Sequence, residues 1–142
     1  MRHKVDGRLF GRPSNQRKAL LRGIVTALLE NQRIETTVAK AKEAKRIAER
    51  MISFGIKGDL HSKRQVLSYV TDRAVASKLF NEIAPRFTGR NGGYLRLVQT
   101  RQRLKDSAPM AILEFVDYEA IKKPKGKAAK AEKSDKTEKK ES

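Results

Sequence analysis

The first 22 residues, MRHKVDGRLFGRPSNQRKALLR, limit what this chain can become, because they cannot bury themselves. Arg2, Lys4, Arg8, Arg12, Arg17, Lys18 and Arg22 stand against one acid, Asp6, and Gly7 and Gly11 divide the basic residues before Pro13. A segment with so few apolar atoms has little to offset the backbone entropy lost on ordering. Two readings follow: a flexible, solvated terminus, or an arm that phosphates of a nucleic acid put in order. The rest of the chain favours the second.

The 142 residues leave room for one domain and an appendage. Lys+Arg 33 against Asp+Glu 16 gives a formal charge of +17. That self-repulsion fits a polyanionic partner better than a small-molecule enzyme. No cysteine is present, which removes disulfide frameworks and thiolate metal sites together. Cations recur through Arg22, so the start does not read as a secretory signal, and no apolar run is long enough for a membrane span. A cytoplasmic protein without membrane attachment is expected.

The first helix is expected to start at Ser14, read as its N-cap, with Leu20, Leu21, Ile24, Val25, Leu28 and Leu29 at helical spacing. Arg17, Lys18 and Arg22 lie near its positive end, where phosphates would relieve them. Ile34 to Thr36 reads as a short strand. A second helix should run from Thr37 or Val38 to about Phe54, with Gly55 and Gly58 in a loop. Its Lys40, Lys42, Lys45, Arg46 and Arg50, mixed with Glu43 and Glu49, fit a salt-bridged solvated face and a second contact surface equally well.

A short helix is predicted over Ser62 to Val70, and another capped by Asp72 and stopped by Pro85. Arg86 to Gly93 then forms a basic, glycine-rich loop. Tyr94 to Thr100 alternates as a strand, Arg101, Arg103 and Lys105 lie in the connection, and Met110 to Val116 is the last strand. Apolar residues on both faces of that strand predict a central position buried on both sides. The fold class is α+β: a small mixed or antiparallel sheet of about three strands packed with four helices. Residues 1–13 form the arm, 14–117 the domain and 118–142 a disordered Lys/Ala/Glu-rich tail.

Nothing in the sequence supports catalysis. The two histidines, His3 and His61, have no spaced partner, and no cofactor or metal is expected. Gly89-Arg90-Asn91-Gly92-Gly93 lacks the Lys-Ser/Thr ending of a nucleotide loop. It reads either as a turn needing positive φ or as a backbone cradle for phosphate flanked by Arg86 and Arg90. Phe10 and Tyr94 are candidates for stacking on unpaired bases, whereas Phe80, Phe87 and Phe115 read as core.

Several motifs together resemble the bacterial large-subunit ribosomal protein L-seventeen family. They are Met1-Arg2-His3-Lys4, Gly7-Arg8 with Arg12 beyond, and Ser14-x-x-Arg17-x-Ala19. Thr36-Thr37 precedes Lys40-Ala41-Lys42-Glu43, and Lys78-Leu79-Phe80-Asn81-Glu82, Pro85-Arg86-Phe87, Gly92-Gly93-Tyr94-x-Arg96 and Ala108-Pro109-Met110-Ala111 follow in order. The similarity spans Met1 to about Asp117. It implies a structural protein that binds 23S rRNA near the exit of the nascent-chain tunnel, beside neighbouring large-subunit proteins. It also implies that Arg2, His3, Lys4, Arg8, Arg12, Arg17, Arg86, Arg90 and Arg96 meet RNA; Lys18 and Arg22 join them on charge. A nucleoid-type DNA-binding protein is the competing reading, though neither long helix supplies an evident groove-reading element.

Overall fold

The computed structural model describes residues 7–118. The predicted Arg2, His3 and Lys4, and the tail after Tyr118, lie outside the described residues. Helix α1 (Ser14–Asn31) follows Pro13, which occupies the N-cap position with extended backbone and no side-chain cap. Ser14 is therefore the first helical residue and not the cap. Its hydroxyl loses that role because Pro13, with its fixed φ, already turns the chain into the helix, and the Pro13 carbonyl accepts from the Arg17 N–H at 3.0 Å. Gln32 ends α1 in the left-handed region at φ 63°. Three bonds hold this non-glycine residue there. Its N–H donates to Leu28 O (2.7 Å), its carbonyl accepts from Phe115 N–H (3.2 Å), and its Oε1 accepts from Arg86 Nη1 (3.3 Å).

Strand β1 (Arg33–Thr37) leads into α2 (Val38–Lys57). Small side chains face inward on α2, with Ala41, Ala44 and Ala48 wholly buried, so its neighbours approach closely. The helix runs through Gly55, where a loop was expected, because Gly55 is needed for packing and not for a turn. A Cβ there would lie 3.2 Å from the Ala84 Cβ and 3.4 Å from Leu79 Cγ. Gly58, at φ 66°, is the true terminator, its N–H returning to Phe54 O.

Helix α3 (Leu60–Tyr69) starts two residues earlier than expected, capped by Asp59, whose carboxylate accepts from the Ser62 N–H at 3.1 Å. The next helix, α4, has three consecutive parts: Arg73–Lys78, a π-helical turn Leu79–Ile83, and a last turn Ala84–Arg86. Asp72 caps it as expected, accepting from the Ala74 N–H at 2.8 Å. Pro85 does not stop it. In the widened turn the Ala84 N–H bonds Leu79 O, five residues back, and this accommodates a residue that lacks an N–H and crowds the preceding turn. Arg86 consequently belongs to a helix end and not to the loop.

Strands β2 (Leu95–Gln102) and β3 (Pro109–Phe115) complete an antiparallel sheet of order β1-β3-β2. The predicted central position of the last strand is observed, and Arg101 lies in β2 and not in the connection. Glu114 pairs with Arg33 on one side and Arg96 on the other, Ile112 with Glu35 and Val98. The helices cover one face of the sheet, where Ala111, Leu113 and Phe115 join Leu28, Ile52, Leu79 and Ile83 in the core. Phe87 and Phe115 are core residues as expected, stacked at 5.8 Å between ring centroids, while Phe80 is half-buried against the core.

The opposite face of β3 is not sealed as its apolar content suggested. Met110 and Ile112 are half-buried, and Glu114 is the polar residue that is covered. Among the described residues, the long side chains of the edge strands cover it, and not a second layer of helices.

Candidate nucleic-acid interface

Leu9 to Arg12 forms a tight turn, with Phe10 and Gly11 both at positive φ (56° and 58°) and the Arg12 N–H bonded to Leu9 O at 3.2 Å. The Arg12 guanidinium reaches back to Phe10 O at 3.0 Å. The fold itself thus positions residues 7–13 beside α1 and α2. Gly7 approaches α2 closely, since a Cβ on it would lie 3.4 Å from the Glu43 carboxylate. The result is a cleft of about 230 Å³ lined by Gly7, Arg8, Arg17, Leu21, Glu43, Arg46, Ile47 and Arg50. Among the described residues that line it, four guanidiniums face one carboxylate, and Arg46 sits 3.9 Å from that carboxylate. Such a concave cationic site concentrates potential toward an anion that enters it.

Among the residues expected to bind RNA, Arg8 and Arg17 are in this cleft, and Arg12 and Lys18 are exposed outside its lining. Arg22 is turned inward, its guanidinium 5.6 Å from the centre of the Tyr69 ring. Burial raises the Tyr69 phenol above its ordinary pKa, and the Arg22 charge opposes that rise.

Arg86 is a quarter exposed. It bonds Gln32, pairs with Asp117 at 3.4 Å, and lies over the Phe87 and Phe115 rings. Those contacts join the ends of α1, α4 and β3. Arg90 folds onto Gly92 O at 3.1 Å, in a loop where Gly89, Gly92 and Gly93 all have positive φ, as the turn reading requires. Tyr94 is buried edge-on against Phe87, its hydroxyl donating to Arg90 O at 3.3 Å. It has no free face for a base, which corrects its assignment as a stacking residue. Phe10 is half-buried.

Arg96 donates twice to Glu114 Oε1, from Nε at 3.0 Å and Nη2 at 2.6 Å, while Arg33 approaches Oε2 at 3.5 Å. Glu114 is thus a buried carboxylate held between two arginines on neighbouring strands. Arg33 also lies over the Tyr118 ring at 5.5 Å.

Arg46 and Arg50 were legible as a pair one helical turn apart, but their face of α2 fitted two readings. The ion pairs of the first reading are present, Lys45–Glu49 (3.8 Å) and Arg46–Glu43 within the helix, and Arg46 and Arg50 line the cleft. Asp106, which the sequence places in the turn between the last two strands, organises the β2–β3 connection. There Arg103 donates to both oxygens of Asp106 at 2.9 Å. This fork, with the Ala108 N–H, holds the Asp106 carboxyl below the usual carboxylate range and raises Arg103.

No group of three metal-ligating side chains occurs among the described residues, and no helix among them is long and apolar enough to cross a membrane. The family described as Ribosomal protein L17 matches residues 20–116. The chain is 62% identical over 130 residues to the large ribosomal subunit protein bL17 of Thermodesulfovibrio yellowstonii, covering 92% of this chain and 98% of that one. It is 58% identical over 107 residues to the protein of that name from Symbiobacterium thermophilum, covering 75% and 95%. For the one from Clostridium botulinum the figures are 52% over 109 residues, 77% and 96%.

Proposed function

Since the chain belongs to the ribosomal protein L17 family, and is a structural ribosomal protein and not an enzyme, we propose that it binds 23S rRNA by neutralising closely packed phosphates. The single observation that supports this most is the cleft between arm, α1 and α2, where Arg8, Arg17 and Arg50 gather beside the Glu43–Arg46 pair. Folded rRNA brings phosphates closer together than their repulsion favours, and a small cationic wedge between RNA helices screens them. Discrimination comes from RNA shape and 2′-hydroxyls more than from a base code. The resemblance of the motifs supports a position near the nascent-chain tunnel exit, in the cytoplasm, beside other large-subunit proteins.

Displaced counterions contribute to such binding. Contact with roughly 6–10 phosphates would lower affinity about 10³–10⁵-fold between about 50 and 200 mM salt for a DNA-like polyanion, and RNA follows in the same direction. The test compares large-subunit rRNA fragments with duplex DNA at equal salt, for the full chain and for a variant with Arg8, Arg12 and Arg17 replaced by Ala. Tighter binding to rRNA, abolished in the variant while its thermal midpoint stays put, is expected. Equal affinity for duplex DNA would favour a nucleoid role, and a variant that unfolds would place these arginines in the fold.

A further inference from the structure

The β2–β3 hairpin extends past the rest of the sheet. The last residue of β1, Thr37, pairs with Met110, so among the described residues the hairpin beyond that point has no third strand beside it. The ladder shifts register between Gln99 and Gln102, an irregularity of the kind that bends and re-aims a strand. Yet the tip is not loose. Arg103 N–H bonds Ala108 O at 3.0 Å, Ser107 N–H bonds Arg103 O at 2.8 Å, and Ser107 takes a left-handed φ of 52°. Asp106 organises the turn, accepting both arms of Arg103 and the Ala108 N–H at 3.3 Å.

This turn holds Leu104 96% exposed, more than any other large apolar side chain among the described residues. Water is a poor environment for a leucine fixed at the end of a built turn. Arg101 and Lys105 lie on either side of it in sequence. Lys105 has no carboxylate partner among the described residues, and Arg101 has a distant one, Glu35 at 3.7 Å. Beneath the tip, Glu35, Leu104 and Met110 border a hollow of about 330 Å³.

We propose that this tip is a second RNA contact, resting on the rRNA-binding reading above, in which Leu104 packs on a ribose or base face while Arg101 and Lys105 meet the flanking phosphates. Glu35 can accept a bond from a 2′-hydroxyl at the hollow, a group that DNA lacks. Asp106 is a positioning residue: it touches no RNA, but it restrains Arg103 and the turn that presents Leu104. None of the residues lining the arm's cleft belongs to the sheet, so the two sites are separate surfaces of one small wedge. Their separation lets the chain bridge two RNA segments.

Asp106 provides the discriminating test. Asp106→Ala raises the net positive charge by one unit, so binding governed by charge alone should tighten. A preorganised tip predicts the opposite for rRNA, roughly 3- to 10-fold weaker binding as ordering costs return, with duplex DNA binding unchanged or tighter. Leu104→Ser should weaken rRNA binding roughly tenfold at constant charge. Both positions are exposed, so thermal midpoints should stay near wild type, and incorporation of each full-length variant into large subunits is measured in parallel.

Should wild type prefer rRNA while Asp106→Ala binds it as tightly or more tightly and Leu104→Ser is unchanged, the tip proposal alone is overturned. Loss of incorporation with intact rRNA affinity would overturn it too, by assigning the tip to a neighbouring protein. No preference of wild type for rRNA would sink the underlying reading, and the tip with it.

Discussion

Arginine does two opposite jobs in this molecule, and the contrast is sharpest between the arm's cleft and the outer face of the sheet. In the cleft, Arg8, Arg17 and Arg50 stand beside the Glu43–Arg46 pair. On the sheet, Arg33 and Arg96 share the buried Glu114, a carboxylate on the strand between them. The first group leaves charge for a partner; the second uses charge to join strands. A net charge of +17 therefore overstates the surface offered to RNA, because several cations are committed inside the fold. Arg86, paired with Asp117 and packed on two phenyl rings, belongs with the second group although it sits beside a basic loop.

The largest expected effect on stability comes from removing the carboxylate that joins the strands. Glu114→Ala should cost about 1–2 kcal/mol, since bonds to charged groups count for more than neutral ones while both guanidiniums remain open to screening water. Its thermal midpoint should fall by roughly 5–10 °C in a melting curve followed by circular dichroism. An unchanged midpoint would mean that Arg33 and Arg96 do not hold the sheet together, and the contrast would fail on that side.

A smaller effect is expected from Asp72→Ala, about 1 kcal/mol, because the Ala74 N–H loses its cap at the start of α4. This loss is local to a helix and should leave RNA affinity unchanged, which separates stability from binding.

Acid should act on the hairpin without unfolding the domain. The Asp106 carboxyl lies below its ordinary value of 3.8 because Arg103 and the Ala108 N–H bond its charged form. The stabilisation is therefore complete above the unfolded value and is lost as pH falls through the lower folded one. Carbon-detected NMR should show Asp106 titrating below ordinary aspartates, and Arg103→Ala should bring it back toward them.

The smallest effect on stability belongs to the cleft. Arg8→Ala combined with Arg50→Ala should change stability by no more than about 0.5 kcal/mol. The same pair should make log affinity fall less steeply with log salt, by about one unit of slope for each phosphate that is no longer neutralised. A large loss of stability would show that the cleft arginines serve the fold, erasing the distinction from the sheet.

Residues that answer to local rules were readable before folding. The apolar repeat from Leu20 to Leu29, the Asp72 cap and the central place of the last strand all depend on spacing along one segment, and they appear as expected. Gly55 and Pro85 misled for a common reason. Each breaks a helix in isolation, but Gly55 admits Ala84 and Leu79 at close range, and the π turn makes room before Pro85. Tyr94 misled because a tyrosine beside glycines looks available until Phe87 covers it.

Sequence by itself determined that the chain is α+β, that its cations far exceed its acids, and that its motifs are those of a ribosomal family, since all three are properties of composition and order. Tertiary structure decided which arginines face outward. Whether a guanidinium meets a carboxylate depends on strand register and helix packing, as where β3 brings Glu114 between Arg33 and Arg96, residues 81 and 18 positions away. No local pattern encodes a partner that distant, and charge acts through space and not along the chain.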